Sequence, residues 1–137
     1  MTSISRPDKH QILRDNQGLL DRYAERSNYQ LDNLGYYDRD GLSISAAEWS
    51  VLHADMSYKR VAQNYVMTKK GPVLVSTVWL GMDHGYGSGK PIIFETMIFA
   101  DDKKLNDQMW RYSNEEDAIK GHHFAVELVK GKIEKSL

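Results

Sequence analysis

The sequence predicts an α+β domain: a small antiparallel sheet of three or more strands, covered by a C-terminal helix and a short central helix, with an added N-terminal amphipathic helix. Three apolar runs carry this prediction, at Val61 to Met67, Val73 to Met82 and Ile92 to Ala100. Short polar or glycine-rich links separate them, which favours antiparallel pairing of neighbours. Segments with apolar residues at helical spacing precede and follow these runs.

The N-terminal segment predicts one amphipathic helix that ends near Ser27. Ser5 and Pro7 offer a cap and a first-turn proline, and apolar residues then recur at helical spacing as far as Ala24. Gly18 inside this helix costs about 1 kcal/mol relative to alanine. We therefore expect the helix to pack against the rest of the domain or against another subunit, and we take it as the contact of a homo-oligomer.

A turn-rich connection and a short central helix are predicted next. Residues 28–41 are rich in Asn, Asp and Gly, which is typical of turns. The spacing of Ser45 and Glu48 is that of a capping box, so we expect a helix to begin there and to run to about Met56. Three side chains are expected on its buried face: Trp49, Leu52 and Met56.

The last helix is expected to begin at a second capping box, in residues 113–116. Four residues predict its buried face: Ala118, His122, Ala125 and Val129. Four others are expected to point to solvent: Lys120, His123, Glu127 and Lys130. Residues 101–111 predict a charged connection before this helix, and residues 132–137 a frayed tail. We expect the chain, 1–137, to form one domain, with an N-terminal helix in 1–27 and a core in 28–131.

The composition narrows the function classes. The 137 residues are 41% hydrophobic and 27% charged, with a formal net charge of -1, which argues against binding along a nucleic-acid backbone. Cysteine is absent, so disulfides and thiolate chemistry are excluded. The sequence has no secretory h-region and no apolar stretch near the ~20 residues of a membrane span. We therefore expect a cytoplasmic protein that binds neither membrane nor nucleic acid.

Several blocks of the sequence form a recognisable pattern. They are Trp49, Arg60 to Ala62, VSTVWLGMDH at Val75 to His84, FETMIF at Phe94 to Phe99, Arg111 to Ser113, and Gly121 with His122. The pattern resembles a group of small proteins encoded by tailed bacteriophages, over roughly Tyr29 to Val129. The resemblance implies a phage gene expressed in the cytoplasm of a bacterial host, and it implies no particular chemistry. His123 departs from it, because the group has an acidic residue there.

The loop between the second and third apolar runs is the predicted functional site. Successive glycines followed by Lys90 are suited to an anion, because glycine admits close approach of backbone N–H groups. The loop is not a Walker motif, since only three residues separate Gly85 from Gly89 and Pro91 replaces the Ser or Thr. Two interpretations stay open: a flexible hairpin loop, or a contact to an anion or nucleotide.

Glu95 lies inside the third apolar run, where an unpaired carboxylate is costly. It therefore needs a partner, and alternation along a strand predicts the side chains that share its face: Ile93, Met97 and Phe99. We expect Glu95 either to reach a cation such as Arg60 or Arg111, or to line a pocket.

Metal binding and catalysis receive little support. His84, Glu95 and His122 could converge as a metal set if the last helix covers the sheet, but their spacing is not diagnostic. A core histidine bonded to the protein is the commoner case, and Asp83 is better explained as a residue that shapes the turn. We expect no bound metal and no cofactor, and we assign no catalytic residue.

Two functions follow from these observations. The first is a non-enzymatic phage accessory protein that binds a small anionic ligand, such as a nucleotide-derived defence signal. Its expected contacts supply charge and stacking faces: Trp79, Asp83, His84, Tyr86, Lys90, Glu95, Arg111 and Tyr112. The second is a protein-interaction factor that inhibits or redirects a host protein through an aromatic surface. The first requires a concave site with a cation beside an aromatic ring, and the second a flat apolar patch.

Overall fold

The computed structural model describes residues 2–3, 6–26, 35–85 and 89–131, which form an α+β fold. In chain order its elements are β1 (Thr2–Ser3), α1 (Lys9–Asp15), α2 (Gln17–Arg26), α3 (Ala46–Ala54), α4 (Met56–Lys59), β2 (Arg60–Thr68), β3 (Gly71–Trp79), β4 (Phe94–Phe99), β5 (Met109–Tyr112) and α5 (Glu115–Val129). The strands form one sheet in the order β1-β2-β3-β4-β5, and every neighbouring pair is antiparallel. The predicted fold class is confirmed.

The two longest strands form a hairpin. The hydroxyl of Thr68 donates to the carbonyl of Gly71 across a tight turn, at 2.7 Å, and Gly71 has a φ of 107° that favours glycine. β3 ends at Trp79, three residues before the predicted Met82. The chain turns there because the N–H of Leu80 bonds outside the strand ladder and Gly81 adopts a φ of 74°.

The strand β5 was not predicted from the sequence. β5 lies in and just after the segment expected to be a charged connection. It pairs with β4 so that Arg111 lies opposite Glu95 and Met109 lies opposite Met97. A strand of four residues offers too few positions for its alternation to stand out from a charged loop.

The N-terminal helix is divided in two, contrary to the prediction of a single helix. Asn16 interrupts it, since its side-chain amide donates to the carbonyl of Ile12 at 2.8 Å. The cap of α1 is Asp8, whose carboxylate accepts from the N–H of His10 at 2.9 Å. The predicted cap, Ser5, lies outside the described residues.

The central capping box is confirmed, because Ser45 and Glu48 exchange both side-chain to backbone bonds. The helix ends at Ala54, and Asp55 then caps α4. Met56 was predicted on the buried face of the central helix, and this prediction is wrong. Met56 is the first residue of α4 and is 50% exposed.

The last helix has the predicted buried face, but a different cap. Asn114 accepts from the N–H of Asp117 at 2.8 Å, so the expected capping box that began at Ser113 is wrong. α5 packs on β2, β3 and β4, whereas α1 and α2 pack on α3. In the described ranges, no helix is long and apolar enough to cross a membrane.

Alternation along the strands gives the sheet two different faces. The face under α5 is formed by buried or half-buried side chains: Ala62, Asn64, Val66, Val73, Val75, Thr77, Trp79, Phe94, Thr96 and Ile98. Two neighbouring inward residues, Val61 and Ala62, are accommodated by a β-bulge at the start of β2. The core of the described fold therefore lies between α5 and this side of the sheet, and it extends to Ile44, to Leu52 of α3 and to Tyr58 of α4.

Two glycines in helices should respond oppositely to alanine. At Gly121 a Cβ would overlap the ring and hydroxyl of Tyr112, whereas at Gly18 nothing lies within 4 Å. We expect Gly18→Ala to raise the free energy of unfolding by up to about 1 kcal/mol. We expect Gly121→Ala to lower it by about 1–2 kcal/mol, because overpacking exceeds the gain in helix propensity. Urea unfolding measures both, and a Gly121→Ala variant as stable as wild type would contradict the contact with Tyr112.

Candidate functional site

Trp79 is a core residue, which corrects its predicted role as a stacking face. Its side chain is 0% exposed. The indole N–H donates to the carbonyl of Tyr37 at 3.0 Å, and the ring of Tyr58 meets it edge-on at 4.9 Å. Every surface of the ring is therefore occupied by the protein, and no ligand can stack on it in this structure.

The loop residues Asp83 and His84 bond to the backbone. One carboxylate oxygen of Asp83 accepts from the N–H of Gly85 at 2.7 Å and from that of Ile92 at 2.9 Å. This oxygen ties together the two ends of the loop, as expected for a turn-shaping residue. His84 Nδ1 lies 2.8 Å from the carbonyl of Met82, so this nitrogen carries the proton. Lys90 is exposed.

Tyr86 lies outside the described residues. Its predicted part in a ligand site therefore stays a prediction.

Glu95 pairs with Arg111, one of the two cations that the sequence analysis names for it. The Nε of Arg111 donates to Glu95 Oε2 at 3.0 Å, and the Glu95 side chain is only 13% exposed. Its surroundings differ from the prediction, because Glu95 shares its face with Met97 and Phe99 but not with Ile93. Ile93 precedes the strand and is 1% exposed, whereas the face of Glu95 is the one that α5 does not cover.

Tyr112 points to the opposite side of the sheet from Arg111. Its hydroxyl donates to Thr96 at 3.1 Å, and burial raises its pKa. The predicted site residues are therefore divided among the core, the loop and the uncovered face. Four surface clefts of about 200 to 570 Å³ are lined by other residues.

A chain of hydrogen bonds crosses the buried layer between the sheet and α5. Tyr112 donates to Thr96, whose hydroxyl lies 2.6 Å from that of Thr77, which lies 2.7 Å from His122 Nδ1. The other ring nitrogen, Nε2, lies 2.8 Å from Oδ1 of Asn64. One direction satisfies every link: each hydroxyl donates towards the ring, Nδ1 accepts, and Nε2 donates to Asn64.

This chain rules out His122 as a metal ligand in company with His84 and Glu95. Both ring nitrogens of His122 have protein partners, and Glu95 is on the other side of the sheet. Within residues 6–26, 35–85 and 89–131, no group of three or more His, Asp or Glu side chains is arranged to hold a metal ion.

Sequence reasoning did not identify two buried charged residues, Asp38 and Arg39. Asp38 is 0% exposed and its Oδ2 pairs with Lys9 at 2.6 Å, while Arg39 is 3% exposed and its Nε pairs with Glu115 at 2.7 Å. Arg39 also donates to the carbonyl of Tyr58 at 3.0 Å. These bonds join α1, α4 and α5 at one end of the fold. The only signal in the sequence is two acidic residues around an arginine before Gly41, which turns and exposed loops also contain.

The face of the sheet away from α5, which we call the open face, is unusually apolar. Its side chains are Arg60, Gln63, Tyr65 and Met67 from β2, Leu74, Ser76 and Val78 from β3, Glu95, Met97 and Phe99 from β4, and Met109 and Arg111 from β5. Four of them are large and exposed: Tyr65 at 73%, Met67 at 76%, Phe99 at 45% and Met109 at 45%. Antiparallel sheets with one solvated face usually place polar residues there.

No family model matches this chain, and no curated protein or solved structure matches it. The similarity to phage-encoded proteins therefore stays an expectation from the sequence blocks. In the described part of the chain, the open face differs from an ordinary protein surface by the exposure of Tyr65, Met67, Phe99 and Met109.

The buried histidine should make stability depend on pH. Burial lowers the pKa of His122 from 6.5 to about 4, with a smaller contribution from His123. Because the folded state holds the neutral ring, its stabilisation is complete above pH 6.5 and is lost as the pH falls towards 4. We expect the free energy of unfolding to drop by about 2 kcal/mol between pH 7 and pH 5 from this group alone.

Denaturant unfolding of wild type and His122→Gln isolates that contribution, because glutamine keeps a polar side chain and does not titrate. The variant should lose less stability than wild type over the same pH range. Equal losses would contradict a buried neutral His122.

Proposed function

We propose that this chain is a non-enzymatic interaction protein whose open face binds another polypeptide. The observation that carries the proposal is the exposure of Tyr65, Met67, Phe99 and Met109 on one side of a sheet. Monomeric proteins rarely expose contiguous apolar patches larger than a few hundred Å², and larger ones mark interaction sites. The patch lies on paired strands, so it offers a partner a preformed surface.

The composition of the patch supports a protein partner over a small ligand. Aromatic residues and methionine are enriched in protein interfaces, and methionine adapts its shape to a partner. The open face is a broad sheet surface, whereas small ligands are bound in clefts that enclose most of their area. The ion pair on this face, Glu95 with Arg111, is already formed within the chain.

Fewer of the predicted contact residues remain accessible to a small ligand. Trp79 is buried, the hydroxyl of Tyr112 is bonded in the core, and Arg111 is paired with Glu95. Of the two cations in the predicted site, Arg111 is paired, and the exposed Lys90 is the one that could bind an anion. Binding of a nucleotide-derived signal stays a prediction for the loop around Lys90.

The phage resemblance gives the proposal a biological setting. It implies that the chain acts inside a bacterial host, so the partner is either a host protein, which the chain would inhibit or redirect, or another phage-encoded chain. Such a function needs a surface and no reaction.

Methionine oxidation tests whether the open face is covered. Met67 and Met109 lie on it, whereas Met56 and Met82 lie elsewhere with 50% and 41% exposure and serve as matched controls. We expect Met67 and Met109 to oxidise several-fold more slowly in extracts of expressing cells than in dilute purified protein, because a bound chain excludes the oxidant.

The control methionines should change little between the two samples. Mass spectrometry of peptides gives each rate. If all four methionines respond alike, the open face has no partner under these conditions and the proposal fails.

A further inference from the structure

The open face has a symmetric arrangement about its central strand. β3 lies between β2 and β4, and the cross-strand register aligns their side chains in rows. One row is Tyr65, Leu74 and Phe99. The next is Gln63, Ser76 and Met97, and the third is Arg60, Val78 and Glu95. In each row a β3 residue separates one β2 residue from one β4 residue.

A two-fold rotation about an axis along β3 makes this face complementary to itself. The rotation lays β2 of one copy over β4 of the other, and β3 over β3. Tyr65 then faces Phe99 of the other copy, and Arg60 faces Glu95. Aligned sheets pack about 10 Å apart with a rotation of about 30° between strands, an offset that long and aromatic side chains can span.

The charges on the face fit the same operation. Arg60 lies opposite Val78 in the register, on the other side of β3 from Glu95. Glu95 gives Oε2 to Arg111 within its own chain. Its carboxylate has a second oxygen, and the two-fold brings that oxygen to the other copy's Arg60, twice in each dimer.

The sequence analysis takes the N-terminal helix as the contact between copies, but in the structure this segment packs within its own chain. α1 and α2 pack on α3, and Ile12 and Leu13 lie against the core. Tyr23 on α2 is 37% exposed, about half the exposure of Tyr65.

We infer that the polypeptide covering the open face is a second copy of this chain, in a two-fold dimer whose axis follows β3. The inference rests on the proposed function and names its partner. The three strands that the rotation brings face to face, β2, β3 and β4, have about 4.8 Å spacing and about 25 Å average length and present roughly 350 Å² per copy. Stable interfaces bury about 800 Å² per partner. The dimer is therefore small, and it should dissociate on dilution through the micromolar range.

Sedimentation equilibrium of the purified full chain tests this inference with two tyrosine variants. We expect wild type to show a reversible monomer–dimer equilibrium. Tyr65→Lys should weaken the dimer at least about tenfold, because it removes an aromatic contact and places like charges near the axis. Tyr23→Lys is the matched control on the N-terminal helix and should leave dissociation unchanged.

A charge exchange between copies tests the register of the dimer. Arg60→Glu alone places two carboxylates opposite each other at both contacts, and Glu95→Arg alone places two cations there, so each variant should be mainly monomeric. An equimolar mixture should regain the dimer, because both contacts of the mixed pair are again of opposite charge. A purely structural effect of either substitution would not be rescued by the other chain.

The outcomes separate the inference from the proposed function. A wild type that stays monomeric near 1 mM, where binding free energy is only about 4 kcal/mol, overturns the second copy as partner. So does a Tyr23→Lys variant weakened as much as Tyr65→Lys, or a mixture no tighter than its separate variants. If the face methionines are nevertheless protected in extracts, the proposed function stands with a different partner; if they are not, both fail.

Discussion

One helix on one side of a sheet is the constraint on which the rest of this structure depends. An antiparallel sheet has two faces, and the described part of the chain provides one fifteen-residue helix, α5, to cover them. The covered face can bury Val75 and Ile98 because Ala125, Val126 and Val129 of α5 pack on them and remove them from water. The other face carries Tyr65 and Met67 in solvent, so the chain leaves apolar area whose burial would stabilise an assembly.

Polar groups fix how that helix sits on the sheet. Apolar contacts alone tolerate sliding, whereas the chain of hydrogen bonds from Tyr112 to Asn64 through His122 is satisfied in one arrangement. The ion pair between Arg39 and Glu115 fixes the first residue of α5. The position of α5 is thereby specified at its beginning and its middle.

Local signals predicted the fold class, the Ser45 capping box and the pairing of Glu95, because each depends on neighbours in sequence or on a costly buried charge. The errors arise where tertiary structure decides. A strand end next to a glycine-rich loop predicts a ligand contact for Trp79, yet its indole N–H donates to the carbonyl of a residue 42 positions away. The sequence also does not show which face of β2 and β4 is exposed, because apolar residues occur on both sides of these strands and the pattern does not alternate.

The proposed dimer places a second copy over the open face, with the two-fold axis along β3. Isotope-filtered NMR on a mixture of labelled and unlabelled chains measures contacts between copies and no others. The expected result is a set of intermolecular contacts between the ring of Tyr65 and the ring of Phe99, with none from α1 or α2. Intermolecular contacts that involve Tyr23 and its helix, with the open-face signals unchanged on dilution, would contradict the account.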